Sequence, residues 1–163
     1  MCSSDLFRSG ELGFLGYVDT DKVAYYRAPE KRHTVRSEFD VRAATALPKV
    51  AILYAYAEPE NPLLVDALRQ AGVQGIVFAG TGAGGISEAE KEAVRRASSG
   101  AAPVVFVRSS RVGNGRVIAR REYDEMGMIP ADNLNPQKAR ILLMLALIRT
   151  RDPQELRRIF SEY

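Results

Sequence analysis

Alternating strand and helix signals between residues 49 and 107 predict an α/β fold: a three-layer, Rossmann-like parallel sheet flanked by helices, with a β-hairpin arm ahead of it. Three observations carry this expectation. Short, continuous apolar runs at 50–54, 75–79 and 104–107 suit strands covered on both faces. Between them lie segments with helical apolar spacing, bounded by capping residues and glycines. The connections are long enough for a helix, and such crossovers are right-handed. A chain of 163 residues, 46% hydrophobic and 26% charged, fits a single globular domain and excludes a disordered tail, a collagen or a disulfide scaffold.

Taken in order, Tyr17-Val18 and Val23-Ala24-Tyr25-Tyr26 flank the polar Asp19-Thr20-Asp21-Lys22, a hairpin pattern that Pro29 ends. An isolated hairpin is marginal in water, so this arm is expected to pack on another part. Residues 30–42 are polar, with Phe39 and Val41 as their few anchors. Beyond the strand at 50–54, Asn61-Pro62 supplies an expected N-cap and first helical residue; Leu63, Leu64, Ala67, Leu68 and Ala71 follow, and Gly72 stops the helix. After the second strand, Ser87 and Glu90 form a capping box for a helix running to about 99. Asn135-Pro136 opens a helix whose stretch 141–148 is apolar on nearly every face and is expected to be largely buried. Asp152-Pro153, with Glu155 completing a second capping box, opens a last helix through Phe160.

Charge excludes further classes. The net charge is +3, from 23 basic and 20 acidic residues, with both signs spread along the chain and no basic block, which argues against a nucleic-acid partner. The longest apolar run, at 141–148, falls well short of the ~18 residues of a membrane span. Cys2 is the single cysteine, so neither a disulfide framework nor a Cys-based metal site is expected. Residues 1–6 (Met1, Cys2, Ser3, Ser4, Asp5, Leu6) match the translation of a sequencing-library adapter read from a GTG start. They are expected to be a scar and are set aside from fold reasoning.

Gly80-Thr81-Gly82-Ala83-Gly84-Gly85 follows a strand and opens a helix with G-x-G-x-x-G spacing. It reads as a tight turn requiring glycine, as an anion site built from backbone amides, or as a nucleotide loop. The dinucleotide fingerprint needs an acid about 20 residues on, at the end of the next strand. That strand ends in Val107-Arg108, so only an NADP-type variant, with Arg108 on a 2′-phosphate, stays open. Arg108-Ser109-Ser110-Arg111 is expected where open parallel sheets place ligands, but a nucleophilic serine needs a base. The single histidine, His33, lies in a polar segment and reads as structural or solvated. Glu122, Asp124 and Glu125 read as a solvated loop, and no His/Asp/Glu cluster has metal-ligand spacing.

Longer strings carry a resemblance. The run Leu134-Asn135-Pro136-Gln137-Lys138-Ala139-Arg140-Ile141-Leu142-Leu143-Met144-Leu145-Ala146-Leu147 resembles a signature near the end of bacterial type II L-asparaginases. Gly13-Phe14-Leu15-Gly16-Tyr17 is similar to the family's Gly-Pro-Leu-Gly-Tyr segment, and Arg32-His33-Thr34 with Phe39-Asp40-Val41 to its linker. Gly75-Ile76-Val77 with the glycine loop, Arg108-Ser109-Ser110-Arg111-Val112, and Ile159-Phe160 with Tyr163 complete the series in family order, covering 10–163.

The resemblance implies that residues 7–48 are a hairpin and linker from an N-terminal domain, and that 49–163 are the smaller C-terminal α/β domain. It implies hydrolysis of L-asparagine to L-aspartate and ammonia by the full-length protein, without metal or cofactor. The family nucleophile, a threonine in Thr-Gly-Gly-Thr, and the Thr-Asp pair of His-Gly-Thr-Asp belong to the N-terminal domain. None of Thr20, Thr34, Thr45, Thr81 or Thr150 lies in such a motif, so no catalytic residue is assigned here and this chain alone is expected to be inactive. In the family the C-terminal domain reaches a neighbouring subunit's active site. The implied substrate-binding positions are Gly85, where the family usually carries Asn or Ser, and Glu122, chosen over Arg120 and Arg121 for a glutamate that meets the substrate amino group. Both departures bear on the preference for asparagine over glutamine. The family also implies a homo-oligomer, a dimer of dimers, and a periplasmic or secreted location, with a cytoplasmic one open. The alternative from another class is a free-standing domain that binds a small anionic ligand.

Overall fold

Each crossover in this chain moves to the next strand position in the same direction. A computed structural model describes residues 9–42, 44–57, 60–100 and 102–163; the expected scar at 1–6 lies outside them. The hairpin is β1 (Gly16–Val18) and β2 (Val23–Tyr25), antiparallel, with Gly16 opposite Tyr25. A 3-10 turn, Thr34–Arg36, follows. The main unit runs β3 (Val50–Tyr54), α1 (Asn61–Gln70), β4 (Gly75–Gly80), α2 (Glu88–Ala97), β5 (Val105–Ser110), α3 (Arg121–Asp124), β6 (Ile129–Pro130), α4 (Pro136–Arg149) and α5 (Pro153–Glu162). All four strands from β3 to β6 are parallel and lie in chain order. The expected α/β architecture with a hairpin ahead of it is therefore present.

Strand alternation divides the core. On one face Ile76 and Phe78 of β4 join Leu53, Phe106, Val65, Ala93, Val94 and Ala97 under α1 and α2. On the other, Val50, Val77 and Val107 meet Leu143, Ala146, Leu156 and Phe160 of α4 and α5. Each fully buried Val, Leu, Ile or Phe among them contributes roughly 1.5–3 kcal/mol of transfer free energy. Gly75 permits the second packing: a Cβ there would lie 2.7 Å from Leu143 Cδ2.

Several local expectations need correction. Asn61 does not cap α1 through its side chain. It is buried, and Nδ2 donates to Tyr54 O at 2.8 Å and to Glu90 Oε1 at 2.6 Å. Its two N–H donors thereby tie the start of α1 to the end of β3 and to α2. The Ser87–Glu90 capping box is present, but Asp152 caps α5 alone, through Gln154 N, while Glu155 pairs with Arg158. In α4, Leu142, Leu143, Ala146 and Leu147 are buried, whereas Ile141 and Ile148 face outward. Ile141 lines an open apolar groove of about 430 Å³ with Leu134, Leu142, Leu145 and Tyr163. The strand expected at 104–107 continues through Ser110, and α3 and β6 have no counterpart in the sequence reading. Two residues are too few for periodicity, and Pro130 is tolerated because β6 is an edge strand.

Residues 31–39 form a strap over α5. Arg32 N donates to Glu162 O at 2.7 Å, and Glu38 N donates to Tyr163 Oη at 2.7 Å. Glu38 also receives Arg158, Arg149 and Arg32. Phe39 packs on the Tyr163 ring with centroids 5.1 Å apart, while Val41, the second expected anchor, is exposed.

Candidate functional site

The carboxyl ends of β3, β4 and β5 bring together the glycine loop, the start of α2, and the segment from Arg111 to α3. Parallel sheets place ligands at this edge, in the crevice where strand order reverses. Among the described strands no reversal occurs, so the dinucleotide crevice is absent.

The glycine loop is closed by a small antiparallel bridge. Thr81 N donates to Gly85 O at 2.9 Å, and Gly85 N returns to Thr81 O at 2.7 Å. Close approach demands glycine at Gly80, where a Cβ would sit 2.5 Å from the backbone of Gly84. Three loop carbonyls turn inward: Ser110 Oγ donates to Gly82 O at 2.6 Å, and Arg108 Nη1 donates to Ala83 O at 3.2 Å and Gly84 O at 3.4 Å. Planar trans peptides therefore aim the N–H groups of Ala83 and Gly84 the opposite way.

This geometry decides between the sequence alternatives. The start of α2 is occupied by its own capping box, with Ser87 N and Oγ donating to Glu90 Oε2 at 2.7 and 2.8 Å. Glu88 and Glu90 put two carboxylates in the first turn, which opposes an anion at the helix terminus. Arg108 is 1% exposed with its guanidinium committed to carbonyls, so it has no reach to a 2′-phosphate. The NADP reading is thereby overturned.

Gly85 is half-buried at the exit of the loop. Its backbone N–H and carbonyl are both used by Thr81, so the expectation that its backbone meets a ligand narrows to the outward side of the loop. A Cβ at Gly85 would meet Thr81 Oγ1 at 3.2 Å, so a side chain needs only a small shift of that hydroxyl. Glu122 sits on α3, half-exposed, and its carboxylate is ion-paired with Lys91 of α2. The Lys91 ammonium is nearly buried; hydrogen bonds from it to Glu122 and Glu88 raise its pKa above the ordinary lysine value, against the effect of burial. Glu122, Asp124 and Glu125, expected in a solvated loop, lie instead in and just after a helical turn, each facing a cation: Lys91, Arg157 and Arg121. Gly85 and Glu122 share no hydrogen bond among the described residues. His33 is exposed, with Nδ1 3.1 Å from Thr34 Oγ1, and lies on the strap away from this edge.

At this edge Arg111, expected among the ligand-facing residues, is spent on backbone carbonyls, and Tyr123 escaped the sequence reading. Arg111 spans β4: its N–H donates to Gly80 O at 2.9 Å and its Nη1 to Ala55 O at 2.9 Å. Tyr123 is buried with its ring 3.8 Å from the Arg108 guanidinium carbon.

Residues 49–160 match the family model described as glutaminase/asparaginase C-terminal domain. The chain belongs to this family. It is 43% identical over 160 residues to a Haemophilus influenzae protein named a probable periplasmic L-asparaginase, covering 96% of this chain and 45% of that one. It is 42% identical over 162 residues to L-asparaginase 2 of Bacillus subtilis, covering 99% and 42%. The crystal structure of a probable cytoplasmic L-asparaginase from Campylobacter jejuni superposes with a TM-score of 0.88 at 41% identity, over 94% of this chain and 47% of that one. This asparaginase-family chain thus spans less than half the length of these relatives, and the family includes members named periplasmic and cytoplasmic.

Proposed function

We propose that this chain is the C-terminal part of an L-asparaginase, which in full-length form hydrolyses L-asparagine to L-aspartate and ammonia. The observation that carries the reading is near-complete coverage of this chain by L-asparaginase relatives of which it spans less than half. In that form residues 7–48 are the hairpin and linker of a preceding domain and 49–163 the C-terminal unit. A threonine of the preceding domain attacks the side-chain amide carbon, ammonia leaves, and water releases aspartate, with fixed donors holding the oxyanion. Gly85 and Glu122 face a neighbouring subunit's substrate in a dimer of dimers. For Glu122 to meet the substrate amino group, its carboxylate must exchange Lys91 for it. The open groove on α4 and the exposed apolar side chains of the hairpin support extensive subunit contacts. The self-capped start of α2, with two carboxylates in its first turn, disfavours the free-standing anion-binding alternative.

The test is to sequence upstream of Phe7 and express both the 163-residue chain and the complete reading frame. The complete protein is expected to carry Thr-Gly-Gly-Thr and His-Gly-Thr-Asp motifs and to release ammonia from L-asparagine, while the chain alone releases none. A start codon near Phe7 with no upstream motifs overturns the proposal.

A further inference from the structure

Among the large fully buried side chains of the described residues, Arg108 is the one cation. It has no carboxylate within ion-pair distance among the described residues. Burial lowers its pKa from the ordinary arginine value, but that value is high enough for the guanidinium to remain charged. Its Nε lacks a hydrogen-bond partner, so the charge rests on three carbonyls and one ring. A buried cation held this way is costly, and an apolar residue at this strand position would pack without that cost. The donors go to two separate segments: Nη1 holds Ala83 and Gly84 of the glycine loop, and Nη2 donates to Ile118 O at 2.7 Å, three residues before α3. The ring beneath it belongs to Tyr123, next to Glu122.

We propose that Arg108 is a positioning residue that locks the glycine loop and the 118–123 segment into one rigid unit, fixing Gly85 and Glu122 relative to each other. The functional part rests on the asparaginase reading; the mechanical part does not. A planar fork can donate to both segments at once, whereas an ammonium is a single point and reaches one.

The experiment compares Arg108→Lys, Arg108→Met and the core control Leu143→Ala. In the 163-residue chain, exchange of the hydrogen-bonded amides of Gly85 in the loop and Tyr123 in the second segment is expected to accelerate together by about tenfold or more in Arg108→Met, while amides of Ile76, Val77 and Phe78 keep their protection. Arg108→Lys is expected to loosen one segment and spare the other. In the full-length protein, Arg108→Met is expected to raise KM for L-asparagine by about tenfold with kcat changed less than about threefold, a split that Leu143→Ala does not reproduce. Exchange that rises everywhere, in neither segment, or in just one for Arg108→Met overturns the proposal, as does a matching KM change in Leu143→Ala. If the full-length protein lacks amidase activity, the asparaginase reading fails, and the exchange measurement alone decides whether Arg108 couples the two segments.

Discussion

Two stretches precede the parallel sheet, and they are held in opposite ways. The hairpin and its flanks expose Leu12, Phe14, Tyr17, Val18, Tyr25 and Tyr26. Arg27 ties the stretch to itself, donating through Nε to Phe14 O at 2.9 Å and through Nη1 to Leu12 O at 2.7 Å. From residues 9–27 to the sheet unit, one hydrogen bond is made among the described residues, Gly115 N to Glu11 Oε2 at 3.1 Å. The strap at 31–39 is far more polar, yet it is anchored by Glu38, Arg32 and Phe39 at matched partners on α4, α5 and Tyr163. Apolar content alone does not fasten a segment; a surface with complementary groups does. The strap has such a surface on α4 and α5; among the described residues the hairpin makes one hydrogen bond to the sheet unit.

The sharpest test of that contrast is Glu38→Ala, which leaves Arg149 and Arg158 without their shared carboxylate. A loss of about 2 kcal/mol is expected in denaturant unfolding, discounted for the partial exposure of the arginines. Its pH signature has a definite sign. Hydrogen bonds from Arg158 hold the Glu38 pKa below its ordinary 4.5. The stabilisation is therefore complete above about pH 4.5 and disappears as pH falls through the lower folded value. The Glu38→Ala protein should lack that acid-side loss; an unchanged profile would mean the strap is not held by this carboxylate.

A smaller effect is expected from Tyr163→Phe. It removes the acceptor of Glu38 N–H but keeps the ring against Phe39, for a cost of about 1 kcal/mol in the same measurement. The smallest comes from deleting residues 1–29, which should change the unfolding free energy of this chain by less than about 0.5 kcal/mol, since little of the arm rests on the sheet unit. A large loss on that deletion would show that the hairpin is fastened here after all, and the contrast would fall.

Much of the molecule was legible in the residues. Apolar runs at 50–54 and 75–79 could be little but strands covered on both faces, because no other placement hides consecutive Val, Ile and Phe side chains. The Ser87–Glu90 box and Asn135 announced their helices because caps are local chemistry, settled within four residues. The glycine loop was legible as a turn for the same reason, since the crowding at Gly80 comes from residues four and five positions away.

Long-range partners decided the rest. Asn61 had the right type and place for a cap, but Glu90, 29 residues on, claimed its amide. Arg108 looked like a ligand-facing residue past the end of a strand. The strand continued through it, and the carbonyls of Ala83, Gly84 and Ile118 converged on its guanidinium from two loops. Glu122 looked free, and Lys91 was waiting on α2. The sequence by itself determined where backbone order forms and which faces are apolar, because propensity, capping and periodicity act over a few residues. Only the tertiary structure decided which polar groups are spent and which remain available, because a buried charge or amide is satisfied by whichever partner the fold brings within hydrogen-bond distance, however far away in sequence.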